Sequence, residues 1–450
     1  MKTILHRYLI TLITLLTGLS VTLVSSYPAM ALGSVNEQIV KDAYIYMLGR
    51  ALVVRQEHMD LKEPGIGYNV IKYNPLGSAN FVNPNLDVAY LEAWIAVDDK
   101  TPVLLKVPPI TGRYYTVQIC DEWGEVITNI NERTFPLTPY GKFAFVALGS
   151  RVKTPADAVR IELHSHKAKM LARVELKKDA NGAVALQRQF KLHAIGTPKI
   201  EPAAALPDFR NDKLIGIELF DNTEKLLAGA IDVSPVAAQM QAKVRAVARQ
   251  AQDPLQRAQL DKLLQEQIIP ELLQRAMTVS SPDQTQSRNN WHGTRGSGNF
   301  GSNYEVRSVT DLLGIWANTD DEVIYFQSMK DGEGQTLNGS NSYLIHFPAQ
   351  QWPEKAVDGY WSVILVDVPN FRVVPNPMNR FNFNSYSPLK SEADGSLNIL
   401  IAPKPNASVP ESNWLPAPDG KNFSLTLRTY VPKQIVRQGE WFPPAIEKMK

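Results

Sequence analysis

The chain has 450 residues, 44% of them hydrophobic and 20% charged, which excludes a largely disordered protein and is too long for one simple core. Its 47 basic and 45 acidic residues leave a net charge of +2. No basic run stands out, so there is no electrostatic footprint for nucleic acid or an anionic lipid surface.

The first segment reads as an export leader. Lys2 and Arg7 precede an apolar run from Leu9 to Val24, and Ala29-Met30-Ala31 offers small residues at the two positions a signal peptidase reads. The expectation is cleavage after Ala31 (leader 1–31) and a periplasmic or secreted product with no stable membrane insertion. Lys2 and Arg7 would leave with it, which takes the 47 basic residues down to the number of acidic ones.

Ser34 and Glu37 have capping-box spacing, and Val35, Ile39, Ala43, Tyr46, Met47 and Val54 recur at helical intervals. This predicts a helix from about Ser34 to His58, filling a segment 34–60. From residue 68 to about 200 the pattern changes to short strands. Asp87, Ala89, Leu91, Ala93, Ile95 and Val97 share one strand face, as do Tyr115, Val117, Ile119, Asp121 and Trp123. Cys120, the single cysteine, falls inside this pattern and reads as a buried, inert thiol. Residues 214–277 read as a helical connector, with Ser234-Pro235 and Asp253-Pro254 as helix starts and Pro270 as a kink or restart. A polar, Gly-rich stretch follows. Residues 303–448 open with a short helix and then return to strands, with Asp394-Gly395 as a hairpin-type turn. The fold class expected is α+β, mainly β: two β-sandwich or jelly-roll-like domains joined by a helical region.

Several ordered segments resemble a known bacterial pair. GSNSYLIHFP (Gly339–Pro348), DGYWSVILV (Asp358–Val366), VPNPMNRF (Val374–Phe381), NWLPAP (Asn413–Pro418) and FSLTLRTY (Phe423–Tyr430) resemble the domain-of-unknown-function family 1214. NPNLDVAY (Asn83–Tyr90) and RYYTVQICDEW (Arg113–Trp123) resemble family 1254. That family usually has Arg then Asp-Thr where this chain has Leu86-Asp87-Val88. The resemblance implies two sandwich-like domains and self-association, and it implies no agreed activity.

Four constellations bear on chemistry. Asp87 and Asp121 close the apolar faces of two strands, where a carboxyl group acquires the raised pKa of a general acid; Tyr90, Tyr115 and Trp123 stand near them in sequence as candidate ligand contacts. The simpler reading has each carboxylate tying a strand end or turn. His164-Ser165-His166 sets two imidazoles on one strand face, a metal-pair spacing, but Leu171 and Ala158 occupy the places where a cupin-type site needs Glu and Gly. Asn376, Asn379 and Arg380 lie in a loop stiffened by Pro375 and Pro377, fit either to bind a polar ligand or to tie the loop down. Gly296-Ser297-Gly298-Asn299-Phe300-Gly301 spells G-x-G-x-x-G without the preceding core strand of a dinucleotide fold, which leaves a loop or a small anion nest. No nucleophile-elbow, zinc-protease or Walker motif is present. No metal site and no cofactor are assigned. The reading preferred is an exported, non-catalytic protein that forms a homo-oligomer and binds a small molecule or an envelope partner. The alternatives are a hydrolase or lyase using Asp87 and Asp121 on a carbohydrate-like or aromatic substrate, and a metal enzyme using His164 and His166.

Overall fold

The computed structural model describes residues 35–77, 84–277, 286–368 and 370–450. The expected leader and its cleavage point lie outside them. Helix takes 26% and strand 27%, and the strands of the described residues form several sheets with no barrel, so the fold is α+β and sheet-rich. No helix of the described residues is long and apolar enough to cross a membrane.

Helix α1 runs over Glu37–Leu61. Its N-cap is Asn36, whose side-chain oxygen accepts the Ile39 N–H at 2.9 Å, so the helix starts and ends a few residues later than the spacing predicts. It is buried nearly all round, with Asp42, Arg50, Glu57 and Asp60 inside along with its apolar residues. Such a helix can only be a central one.

The first sandwich contains nine strands. They are β1 (Lys72–Tyr73), β2 (Val88–Ala96), β3 (Val103–Val107), β4 (Tyr115–Cys120) and β5 (Val126–Ile130), then β6 (Gly141–Ala147), β7 (Ala158–Leu163), β8 (Lys167–Glu175) and β9 (Lys191–Ala194). A short helix, α2 (Ala180–Gln187), joins the last two. One sheet has the order β1-β2-β8-β4-β5 and the other β7-β6-β3-β9. Between them lie Ala89, Leu91, Ala93, Ile95, Val97, Tyr115, Val117 and Ile119 from the first sheet and Val103, Leu105, Phe143 and Phe145 from the second. The predicted alternation therefore sets the inner face correctly up to its last residues. Asp121 and Trp123 leave it because β4 ends just short of them, and at the other extreme Asp87 leaves it because β2 begins just after it.

The helical region follows, with α3 (Thr223–Ala228), α4 (Ala237–Gln250), α5 (Pro254–Leu263) and α6 (Ile269–Met277). Asp253 caps α5, accepting the Gln256 N–H at 2.9 Å, and Pro254 occupies its first turn. The chain does not break at Pro270. Residues 264–268 form a π-helical turn just before it, which accommodates the carbonyl that Pro270, lacking an N–H, cannot satisfy. Helix α7 (Tyr304–Gly314), expected to open the second domain, packs on α1 instead. Ser308 Oγ donates to the Ile45 carbonyl at 2.6 Å. Gly49 permits the approach, since a Cβ there would come within 2.7 Å of Ser308 Oγ.

The second sandwich holds β10 (Gln286–Arg288), β11 (Trp291–Gly293), β12 (Val323–Ser328), β13 (Tyr343–Phe347) and β14 (Trp361–Asp367). It continues with β15 (Asn382–Asn384), β16 (Leu397–Ala402), β17 (Trp414–Pro416), β18 (Phe423–Tyr430) and β19 (Ile446–Lys448). A six-stranded sheet, β10-β11-β12-β18-β14-β15, covers a four-stranded one, β17-β16-β13-β19. Phe326, Trp361, Val363, Leu425 and Leu427 meet Tyr343, Ile345, Phe347, Leu397 and Ile399 in the core. The two sandwiches then stack on each other through the outer faces of their larger sheets, with Val88 and Tyr114 of the first packed against Val323, Tyr360 and Tyr430 of the second. Helices α1 and α7 flank the junction.

Candidate functional site

The outer face of the first sandwich carries Tyr90, Glu92 and Trp94 from β2, Thr116, Gln118 and Cys120 from β4, and Lys167, Lys169, Arg173 and Glu175 from β8. Opposite them stand Tyr325 and Gln327 from β12 and Ser424, Thr426, Arg428 and Tyr430 from β18. The alternation of strand side chains puts polar groups here, and packing against the second sandwich, α1 and the segment after α7 buries most of them: Arg173 is 5% exposed, Lys169 1%, Arg428 2% and Gln118 0%. Buried charge is tolerable only when paired. Lys167 meets Glu57 at 2.8 Å, and Lys169 meets Asp60 and Glu92, both at 2.6 Å. Glu322 accepts from Arg133 at 2.6 Å, Asn131 at 2.9 Å and Tyr114 at 3.0 Å.

Asp87 sits at one end of this seam. Its Oδ1 accepts from Asn382 at 2.8 Å and Asn384 at 2.7 Å, both from the second sandwich, while its Oδ2 is buried without a hydrogen bond. Burial raises its pKa, and the two asparagine donors partly offset the rise. Beside it, Asn85 donates to Tyr430 at 2.6 Å and Tyr360 at 3.2 Å. Those two rings stack at 4.2 Å. Tyr386 donates to Glu175 at 2.6 Å across the same seam, and burial raises the Glu175 pKa.

Where the sheets diverge toward the helices, the seam opens into a cavity of about 610 Å³, within the size range of small-molecule sites. Tyr90 and Arg173 line it from the first sandwich, Tyr325 and Arg428 from the second. Val306, Val309 and Leu312 of α7, with Trp316, form an apolar wall. The Arg173 guanidinium donates to Gln118 Oε1 at 2.7 Å and lies 5.5 Å from the Tyr90 ring centre.

The other residues singled out in the sequence are not gathered here. Asp121 lies at the far end of the same sheet from Asp87, on the order of 20 Å away along β8, whereas paired glycosidase carboxylates sit about 5–10 Å apart. Its Oδ1 accepts the Trp123 and Glu125 N–H groups at 2.8 and 3.0 Å, and its Oδ2 meets His164 Nδ1 at 2.8 Å. It ties a turn. Tyr115 is in the sandwich core with its hydroxyl on the Pro139 carbonyl at 2.6 Å. Trp123 is in the helical core, its ring tilted by 38° against that of Tyr46 at 4.8 Å. Tyr90, on the opposite strand face, is the one of the three aromatics at the cavity. Asn376 closes its own loop through the Arg380 carbonyl at 2.9 Å, and Arg380 donates to the Glu411 and Trp414 carbonyls at 2.7 and 2.8 Å. Asn379, beside them, holds a left-handed backbone with φ 48°. These loop residues are occupied in holding structure.

His164 and His166 are not on a strand. They fall in the bend between β7 and β8, where His166 faces Asp99 at 3.4 Å rather than sharing a partner with His164. Among the described residues no group of three His, Cys, Asp or Glu could hold a metal ion. Cys120 is buried, and burial pushes its thiol pKa up. The Gly296–Gly301 loop is a nest already filled by the protein's own carboxylates. Asp320 accepts the Gly296 N–H at 2.9 Å and Glu125 accepts the Phe300 N–H at 2.9 Å. Burial pushes Glu125 up to about 7.

Arg173, Tyr325 and Arg428 were not singled out in the sequence. Each occupies a polar position of a strand that alternates with apolar ones, as a solvent-facing residue would. The available signal was the length of the two strands, which mark the centres of their sheets, together with a cation at the matching outward position of each.

Residues 68–194 match the family described as "Protein of unknown function (DUF1254)", and residues 322–434 match "Protein of unknown function (DUF1214)". No curated protein matches the chain. Among solved structures, the VPA0106 protein from Vibrio parahaemolyticus is similar over 92% of this chain and 100% of its own, at 21% identity and a TM-score of 0.66. A protein from Burkholderia cenocepacia aligns over 89% of this chain and 86% of its own, at 12% identity and a TM-score of 0.44.

Proposed function

The chain belongs with proteins that pair a DUF1254 domain with a DUF1214 domain, and on that premise we propose that it binds a small molecule in the cavity between them. One observation carries this reading: the two polar sheet faces and an apolar helix wall converge on a partly open cavity of about 610 Å³. Sites of this kind, apolar with a few convergent polar groups at a domain junction, are where ligands are held. The separation of Asp87 and Asp121 at opposite ends of one sheet speaks against the paired-carboxylate hydrolase alternative and favours the binding reading. Export with removal of residues 1–31, and self-association, remain part of the proposal. N-terminal sequencing of the mature protein and light scattering of the purified protein test them.

The cavity itself is tested by filling it. A thermal-shift screen of small metabolites against the wild type should find stabilising compounds, and Val309→Trp, which places an indole into the cavity, should abolish the shifts. Compounds that stabilise both proteins equally would place binding elsewhere and defeat the reading.

A further inference from the structure

Four buried cations among the described residues are each paired with a carboxylate, and Arg173 is not. Arg50 meets Glu122 at 3.2 Å, Arg307 meets Asp232 at 3.1 Å, and Lys167 and Lys169 meet Glu57 and Asp60 at 2.8 and 2.6 Å. Arg173 is as deeply placed, at 5% exposed, yet among the described residues it has no carboxylate within ion-pair distance. Its one hydrogen-bond acceptor is the neutral amide of Gln118. Its remaining surroundings are phenols: Tyr90, Tyr114, Tyr325 and Tyr430 are its electrostatic neighbours. The Tyr90 hydroxyl has no hydrogen-bond partner among the described residues either, and it lines the same cavity. A guanidinium with one neutral acceptor is costly to bury, and the cavity is the side from which compensation can come.

The acids nearby do not supply it. Glu92 is engaged by Lys169 at 2.6 Å, and Glu305 pairs with Arg275. Asp311 is buried, which raises its pKa, and among the described residues it makes no ion pair with Arg173. From the facing sheet Arg428 brings a second buried cation to the cavity, with Asp87 in electrostatic contact.

We propose that the ligand of this cavity is an amphipathic oxyanion, its acid head held by Arg173 from the first sandwich and Arg428 from the second, its apolar body against Val306, Val309 and Trp316. The proposal rests on the cavity being a binding site and adds the chemical class of what enters it. Planar guanidinium groups suit carboxylate, sulfonate or phosphate heads by paired N–H donation. The apolar wall disfavours a small inorganic ion alone, which would leave that wall uncovered.

The test uses two fluorescent probes that differ in one group. 8-Anilinonaphthalene-1-sulfonate carries a sulfonate, and N-phenyl-1-naphthylamine is the same body without it. The mature wild-type protein should bind the sulfonate about 10-fold or more tightly than the amine, as charge-assisted hydrogen bonds to the head require. Arg173→Met and, separately, Arg428→Met should bring the sulfonate down to the level of the amine and leave the amine unchanged. Two independent variants guard against one failing to fold, and circular dichroism checks both. Dodecanoate or dodecyl phosphate should displace the sulfonate probe where dodecanol does not, and the better of the two tells a carboxylate head from a phosphate. Equal binding of both probes, untouched by either arginine variant, overturns the acid head while leaving the cavity a binding site. Absence of saturable binding by either probe, or binding unaffected by Val309→Trp, overturns the cavity reading and this inference with it.

Discussion

The inner and outer faces of β18 are both buried, and they are built from opposite chemistry. Inward, Phe423, Leu425 and Leu427 join the second sandwich core. Outward, Ser424, Thr426, Arg428 and Tyr430 are buried as well, with Tyr430 packed against Val88 and Tyr114 of the first sandwich. β8 repeats the arrangement with Met170, Ala172 and Val174 inside and Lys169, Arg173 and Glu175 outside. The inner faces stabilise each domain by apolar burial, which is tolerant of detail. The seam depends on matched hydrogen bonds and charges, which lose much when one partner is removed. Alternation of polar and apolar residues therefore shows that a strand has two environments, and it does not show that one of them is water.

The comparison can be broken from the inside first. Phe326→Ala should cost about 3–5 kcal/mol, the usual loss for an aromatic core side chain, and should lower the midpoint of the whole second-domain transition in urea. The seam should break differently. Glu322→Ala removes the acceptor of Arg133, Asn131 and Tyr114 and should cost about 3 kcal/mol, near the lower end for a buried pair because Arg133 is partly exposed. Here the expected sign is a separation of the two domains' transitions and new proteolysis between residues 278 and 322. A single cooperative transition at lower midpoint would mean that the seam and the cores are one unit.

The effect of pH sharpens the contrast further. Glu125 is held up at about 7 by burial, so the folded state keeps a proton that the unfolded chain releases near 4.5. Stability from this group is fully present below 4.5 and is lost as pH rises toward 7. Glu125→Gln keeps an acceptor for the Phe300 N–H. It should flatten that slope and raise stability at pH 8 by on the order of 2 kcal/mol, after discounting for partial solvation, as melting at pH 5 and pH 8 will read. The smallest effect belongs to Asn85→Ala, which loses the hydrogen bonds to Tyr430 and Tyr360. A cost of about 1 kcal/mol, seen as faster hydrogen exchange in β18, is expected.

The sandwich interiors were legible in the sequence because a period of two is a local property. Ala89 to Val97 and Tyr115 to Ile119 could be assigned to a core without knowing what lay opposite. The Asp253-Pro254 helix start was legible for the same reason. The cavity was not. Arg173 and Arg428 lie 255 positions apart in the chain, and only the stacking of two sheets brings them to one volume. Asp87 and Asp121 looked alike because each follows the parity of an apolar face. β2 begins just after Asp87 and β4 ends just short of Asp121, and their partners, Asn382, Asn384 and His164, are set by tertiary contacts. The placement of α7 was missed because its partner face on α1 depends on one glycine, Gly49, at a distance of 259 positions from Ser308.

A polar seam also bears on the order of assembly. Synthesis completes the first sandwich long before Phe423–Tyr430 exists to cover it. While it waits, the surface it shows to water is lysine, arginine, glutamine and tyrosine rather than a sheet of valine and leucine. A half-made protein of this kind stays hydrated where an apolar docking face would invite sticking to its neighbours. The side chains that make the finished junction demanding are the ones that keep the unfinished chain apart from other copies of itself.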